Sequence, residues 1–560
     1  MSRFGIRAVA DTISFLVVLA FIANAEAQLV ERPLITGHRA MVTSLEPLAS
    51  EAGMRILQAG GNAFDAAVAT AAAVTVVDPR MSSIGGNGFA TIYIAKTGEV
   101  RALNFYGTAP KGATVEAYTG KDYSHGILAA PVPSSLKGYA ELHGAYGKMP
   151  WAQVLQPAIE LAETGFIMTK DLSDTIREKQ PLLSRFASSA KVFLPGGRVP
   201  QPGEVFKQPD LARTLKELAA HGADALYRGE MGDRIANFYE EQGGVLRKED
   251  LEHYEALWLK PISSTYRGYT FYTQPPTSSA IAVLEQLNLL EGFDLKKMEH
   301  NSPEYLHLIG EVMRLAIADR NRYVGDPKFV QVPVEKLLSK EYAAQRRTLI
   351  HADSTMLVAT AGDFEQPAHS HTTHLNVVDA EGNMVALTQT LGSEFGSGVV
   401  AGDTGILFSN EMRHLHLDPD DPSRLEPGKR SRSNESPLIV MNPEGKPFMA
   451  LGTPGNDGIW QRLVQVILNV VDFGMDIQSA ITSPRMIYGG HQELGTKIIP
   501  SFKVEDRISK VTMDALRSKG YSVESVPDDD GRVSGIVIDA HTGFYFGGAD
   551  PRADVYAIGW

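Results

Sequence analysis

Thr372-Thr-His-Leu-Asn-Val-Val-Asp379, then Ala-Glu-Gly-Asn383, then Met384-Val-Ala-Leu-Thr-Gln-Thr-Leu391, reads as two strands joined by a tight turn. Leu375 to Asp379 and Met384 to Leu391 have the composition of buried or half-buried strands, and Asp379 to Asn383 has the turn residues between them. A turn-rich stretch, Gly362 to His371 with Pro367, precedes the pair, and a glycine-rich segment, Gly392-Ser-Glu-Phe-Gly-Ser-Gly398, follows it. Thr372 therefore stands at a loop-to-strand junction. In an antiparallel pair Thr390, at the far end of the second strand, could approach the start of the first if the sheet twists or another loop intervenes, which the sequence alone leaves open.

A threonine at such a junction has a specific chemical use. Its hydroxyl is a poor nucleophile until a base takes its proton. Cleavage between His371 and Thr372 would create that base, because a free α-amine titrates near ~7.7–8.0 and would be tethered to the hydroxyl it must deprotonate. The β-branch also restricts χ1, so the hydroxyl direction is well defined. Taken alone, Thr-Thr-His is usually just a β-prone strand start.

The remaining motifs decide between these. Gly60-Gly-Asn-Ala-Phe-Asp-Ala-Ala67, Gly85-Gly-Asn-Gly-Phe89, Ala109-Pro110, Tyr146-Gly-Lys-Met-Pro150 with Gln156-Pro-Ala158, Thr372-Thr-His374, Gly405-Ile-Leu407, Gly452-Thr-Pro-Gly455 and Asp550-Pro-Arg552 occur in one order along nearly the whole chain. In order and spacing the chain resembles the gamma-glutamyltransferase family of N-terminal-nucleophile hydrolases. The resemblance implies an α+β fold, a four-layer αββα sandwich of two antiparallel sheets between helices, made by two intertwined subunits cut from one precursor. It implies a signal peptide at 1–27, a large subunit at 28–371 and a small catalytic subunit at 372–560.

The resemblance also implies roles. Thr372 matches the processing residue and nucleophile, and Thr390 the threonine that orients it. Thr453-Pro-Gly-Asn-Asp-Gly458 matches the oxyanion loop, with the Gly455 and Asn456 N–H groups as donors. The residues agree: Ile459, Leu463, Val466, Ile467, Val470 and Val471 recur at helical spacing, and Asp457 is placed to be an N-cap, so the loop opens a helix whose first N–H groups favour an anion. The family usually has a second glycine where Asn456 stands, and an asparagine side chain narrows the available backbone conformations.

The substrate positions depart from the family. Its arginine clamp for the α-carboxylate is replaced by Tyr106, which lacks a two-pronged charge. The acid that holds the α-ammonium aligns with His414, an asparagine after Thr390 becomes Gly392, and a serine pair becomes Ser433-Asn434. Glu411 could hold an ammonium instead, and Arg413 or Arg432 a carboxylate. The resulting reading is a self-processing hydrolase or acyltransferase that cleaves γ-glutamyl amides such as glutathione through an acyl-enzyme. The alternative is the same mechanism on a non-glutamyl acyl amide, as in the family's cephalosporin-acylase and amidase relatives. The partners are a small-molecule or peptide amide and, in transfer, an amino-acid or peptide acceptor.

The shortened stretch between Met412 and Lys429 leaves the pocket more open than in lidded relatives, and its charged run, including Asp420-Asp421, reads as a solvated loop. Two rivals stand outside this chemistry. His369, His371 and His374 have a spacing usable for zinc, as in a zinc-dependent hydrolase, but the expected cut would separate the first two from the third. The altered pocket would also suit a member that binds peptides without turning them over.

Composition bounds the rest. Arg3 and Arg7, an apolar run from Ile13 to Ala23, and Ala25-Glu-Ala27 before Gln28 read as a secretory signal, so the mature protein is expected to be secreted or periplasmic, with no membrane contact after signal cleavage. No cysteine is present, which excludes thiol chemistry and thiolate metal sites, and stability must come from burial. A net charge of −13 argues against nucleic acid. Gly85-Gly-Asn-Gly88 lacks the Lys-Ser/Thr of a phosphate loop, and no cofactor or metal is called for. The 43% hydrophobic content and the alanines from Ala66 to Ala73 suit a large core with closely packed helices. Asn62 and Asp65 resemble an N-cap with an acid in the first turn.

Overall fold

Ala63–Val77 shows how the sequence builds the interior. Asn62 caps this helix through the N–H groups of Phe64 and Asp65 at 3.0 and 3.1 Å, and Asp65 accepts the Asn62 N–H at 3.0 Å, a reciprocal capping box. All fifteen residues are buried. Its small side chains let neighbouring helices and the sheet beneath approach closely, in keeping with an interior packed like an organic crystal.

The structure, a computed structural model, describes residues 32–356, 371–494 and 497–560. The secretory segment of the sequence reading lies outside the described residues. Among those described, no helix is long and apolar enough to cross a membrane. Leu34–Trp560 forms one compact unit, so the length that would suit several domains is folded into one.

Two antiparallel sheets of seven strands make its centre. One runs Tyr556–Gly559, Met41–Ser44, His371–Val378, Met384–Gly392, Asn87–Ile94, Glu99–Phe105, Leu257–Leu259; the other runs Ile35–Gly37, Tyr545–Ala549, Ser534–Ile538, Pro447–Gly452, Leu438–Met441, Tyr269–Thr273, Ile262–Tyr266. Met41, Val378, Met384, Ala386, Ile439, Ala450 and Ile536 form the core between them. The first sheet packs its other face on helices including Ala63–Val77, Ser135–Tyr146 and Trp151–Thr164. The second packs on Ile281–Leu290, Pro303–Tyr323 and Gly458–Val471. Four layers and three apolar interfaces result. Both sheets combine strands from before and from after position 371.

The two strands read first in the sequence lie side by side at the middle of the first sheet, but the first of them is longer than its composition predicts. It starts at His371 rather than near Leu375, because its partner continues to Gly392 and supplies ladder bonds to the end. A register irregularity separates His371 from Thr372. The turn between the strands forms as read: Asp379 accepts the N–H groups of Glu381 and Asn383, both at 3.0 Å, and Gly382 has φ 84°.

Candidate active site

Period-two alternation sets the direction of the nucleophile candidate. Leu375 and Val377 face the helical layer, so Thr372, His374 and Asn376 face the opposite sheet. Asn376 confirms this, donating across the gap to the Ser534 carbonyl at 3.1 Å and, within its own sheet, to Thr43 Oγ1 at 3.0 Å. His374 lies against Gly452, where a Cβ would fall 2.1 Å from the ring. Thr372 is one pleat, ~6.8 Å, further along, and the loop after Gly452 carries Pro454, Gly455 and Asn456. Thr372 and Pro454 to Gly458 line one cavity of about 480 Å³, with Arg462, Tyr488, Lys503, Asp528 to Asp530 and Arg532 among its other walls.

Thr390 is the direct cross-strand neighbour of Thr372. The Thr372 hydroxyl donates to Thr390 Oγ1 at 3.2 Å, and the same oxygen accepts the Gly392 N–H at 2.8 Å. Thr372 is buried to 2% exposure. Gly455 and Asn456 both have positive φ, 110° and 57°; asparagine is among the few side chains that tolerate this region. Neither of their N–H groups makes a backbone hydrogen bond among the described residues.

Asp457 corrects one expectation. It precedes the helix Gly458–Val471, but its side chain does not cap it. The carboxylate instead takes Asn434 Nδ2 at 2.8 Å and pairs with Arg320 at 3.2 Å. The first turn is closed by backbone bonds from Gly458 to Gly455 and from Ile459 to Asn456.

The departures from the family pattern assemble into a second cluster beside Thr390, outside the walls of the Thr372 cavity. Tyr106, buried and stacked on Phe89, turns its hydroxyl to Glu411 and Ser433. Burial, then the nearby Glu411 and Glu435 carboxylates, push this phenol well up. Gly392 has φ 92°, and a Cβ there would lie 2.4 Å from Asn410 Oδ1 and 2.6 Å from Glu411 Oε1. The loss of an asparagine at 392 is thus coupled to the position of Glu411. Arg413 donates to the Gly392 carbonyl at 2.9 Å, and Arg432 to the Asn321 carbonyl at 3.4 Å.

Burial raises the Glu411 carboxyl against the opposing effects of Arg413 and Tyr106. Glu435, which the sequence did not single out, is raised by burial and then by Glu411, and its Oε2 has no hydrogen-bond partner. The two buried carboxyls thus disfavour each other's charge. His414 Nε2 is 3.9 Å from Glu411; burial, reinforced by Arg413 and Arg432, drives this ring well below the ordinary histidine value, so it is neutral. Asn434 stands apart, accepting from Arg320 and bound to Asp457. Within the shortened loop, Asp420 is exposed but Asp421 is only half exposed and pairs with His416 at 2.5 Å; burial would raise its carboxyl, yet this ring and the Ser423 N–H bring it down to about 2.

His374 is not available as the zinc reading requires. Both ring nitrogens of His374 are committed, Nδ1 to Thr388 at 2.8 Å and Nε2 to Asn376 Oδ1 at 3.0 Å. His369 lies outside the described residues. Arg462, which bonds the Pro454 and Gly455 carbonyls, and its partner Asp529 left no mark in the sequence, because an arginine within an apolar helix reads as its solvent face.

A threonine hydroxyl at the start of a central strand, in a sandwich of two antiparallel sheets between helical layers, defines an N-terminal-nucleophile hydrolase. Within that class the chain belongs to the gamma-glutamyltranspeptidase family, whose profile matches residues 49–560. It is 37% identical to a glutathione hydrolase-like proenzyme, YwrD, of Bacillus subtilis strain 168, over 94% of this chain and 99% of the relative. It is also 37% identical to the acylase ACY 1 proenzyme of Pseudomonas sp. strain SE83, over 94% of each. The crystal structure of cephalosporin acylase from Bacillus halodurans superposes with a TM-score of 0.86 at 34% identity, covering 95% of this chain and 97% of that one.

Proposed function

We propose that this protein is an exported, self-processing amide hydrolase and acyltransferase in which Thr372 is the nucleophile, acting on γ-glutamyl amides. The observation that supports the mechanism is the Thr372–Thr390 hydroxyl pair beside the Gly455–Asn456 loop in one cavity. In maturation, the Thr372 hydroxyl attacks the carbonyl of residue 371. The C–O bond forms, the 371–372 C–N bond breaks, and the amine takes the proton; water then hydrolyses the ester and leaves a free Thr372 amine. In turnover, that amine takes the hydroxyl proton as Oγ1 attacks the substrate carbonyl, and the Gly455 and Asn456 N–H groups receive the negative oxygen, each donor worth ~2.7–4 kcal/mol in the transition state. The amine proton passes to the leaving group, and water or an acceptor amine releases the acyl group.

The acid pair Glu411 and Glu435 supports the γ-glutamyl reading, since a cationic α-ammonium beside it would favour the charged forms that burial now disfavours. A second reading, an acyl amide without the amino-acid head, is favoured by Tyr106, which stands in place of the carboxylate clamp and already engages Glu411. Anilide release from γ-glutamyl and glutaryl anilides by protein cut before Thr372 separates the two, with Thr372→Ala as the blank. Turnover of the γ-glutamyl compound supports the first reading, and turnover of the glutaryl compound alone supports the second. A Thr372→Ala protein that is still cut between 371 and 372 refutes the processing scheme.

A further inference from the structure

We propose that Arg462 is the positioning residue of the oxyanion site: its guanidinium holds two consecutive carbonyls, and so turns both the Gly455 and the Asn456 N–H groups away from itself and towards Thr372. The inference rests on the reading of Thr372 as nucleophile and deepens it. Arg462 Nη1 lies 2.9 Å from the Gly455 carbonyl and 3.3 Å from that of Pro454. Both peptides are trans, and in a trans peptide the C=O and N–H point in opposite directions. Fixing the Pro454 carbonyl therefore directs the Gly455 N–H, and fixing the Gly455 carbonyl directs the Asn456 N–H.

Such a brace has a physical reason. Gly455 at φ 110° has no side chain to choose between the two orientations of its flanking peptides, and a peptide turned over would present a carbonyl to the developing anion. The fork packs directly on the backbone it holds: a Cβ on Gly455 or on Gly458 would come within 2.4 Å of Nη1. Glycine at both positions is what lets the guanidinium in.

The brace is itself anchored. Arg462 Nε donates to Asp529 Oδ2 at 2.9 Å, and Nη2 donates to the Asp529 carbonyl. Asp529 is held from its other side by Arg485 at 3.0 and 2.9 Å; Arg485 pairs with Asp550 at 2.8 Å, and Arg552 joins Asp550 to Glu505 at 2.9 and 2.8 Å. The Asp550-Pro-Arg552 motif at the end of the chain thus reaches the oxyanion loop through a row of buried ion pairs. A donor charge on the carbonyl side also polarises each peptide and strengthens its N–H as a donor.

The test compares wild type, Arg462→Ala, Arg462→Lys and Gly458→Ala, with kcat normalised to the fraction cut before Thr372 as read by intact mass. Wild-type turnover above a Thr372→Ala blank establishes the underlying reading; its absence on every amide refutes that reading rather than this one. Arg462→Ala is expected to lose about 100-fold in kcat, the scale of one missing oxyanion donor, with KM little changed. Lysine cannot span both carbonyls and Asp529, so it should recover only part of the loss. Free guanidinium at low concentration should restore turnover in Arg462→Ala but not in Thr372→Ala. Gly458→Ala keeps the arginine and displaces its fork, and, with no strained backbone at 458, should fold normally and lose kcat in the same way. If Arg462→Ala does not fold, Gly458→Ala decides. Wild-type kcat in either correctly processed variant, or a loss carried by KM alone, overturns the proposal.

Discussion

Acidification should weaken the strand His371–Val378 through His374. The ring is fully buried two residues from Thr372. Asn376 Nδ2 donates elsewhere, so its Oδ1 accepts the His374 Nε2–H, and Nδ1 is left to accept from the Thr388 hydroxyl. Burial lowers this imidazole from 6.5 to about 4, against the smaller opposing effect of the Asn376 bond. The folded state therefore binds the proton less readily than the unfolded chain. Its stability contribution is complete above pH 6.5, falls as the pH drops towards about 4, and is level below that. A gap of about 2.5 pH units at ~1.36 kcal/mol each is worth roughly 3 kcal/mol. Urea unfolding across this range on the uncut Thr372→Ala chain, with and without His374→Gln, isolates the effect, because His414 and the carboxylates titrate in both. The parent should lose about 3 kcal/mol more than the double variant. Equal losses in the two would refute the assignment of a neutral, proton-resistant His374.

Three other outcomes follow from named contacts. Thr390→Val removes the hydroxyl beside Thr372 and strands the buried Gly392 N–H; it should cost about 1–3 kcal/mol in stability and lower kcat more than it raises KM, checked by denaturation and kinetics on cut protein. Asp529→Asn leaves Arg462, Arg485 and Arg552 without the carboxylate they surround, and should destabilise the fold by about 3–5 kcal/mol, measured by thermal and urea unfolding. Glu435 has a raised carboxyl in the folded state, so the unfolded chain ionises first and this group's contribution to stability falls as the pH rises above about 4.5; Glu435→Gln should remove that contribution and gain on wild type towards neutral pH, read from the difference between paired unfolding curves.

What the sequence determined by itself is local or repeats with a short period. The turn at Asp379–Asn383 and the cap at Asn62 are satisfied by neighbours within a few residues, the apolar stripe of Gly458–Val471 repeats at helical period, and the ordered motifs identified the family. The sequence also placed Thr372 at the start of a strand, though not the strand's true beginning, which its partner's length decides. The tertiary structure alone decided that Thr390 lies directly across from Thr372, that Tyr106 turns to Glu411 while Asp457 bonds Asn434 and Arg320 rather than capping its helix, and that Arg462 turns inward to Asp529. Arg462 and Asp529 are 67 positions apart, and Asn376 and Ser534 are 158 apart. Such pairs carry no periodic signal, because what selects them is the cost of burying a charge or an amide without a partner, and that cost exists only once the layers have closed.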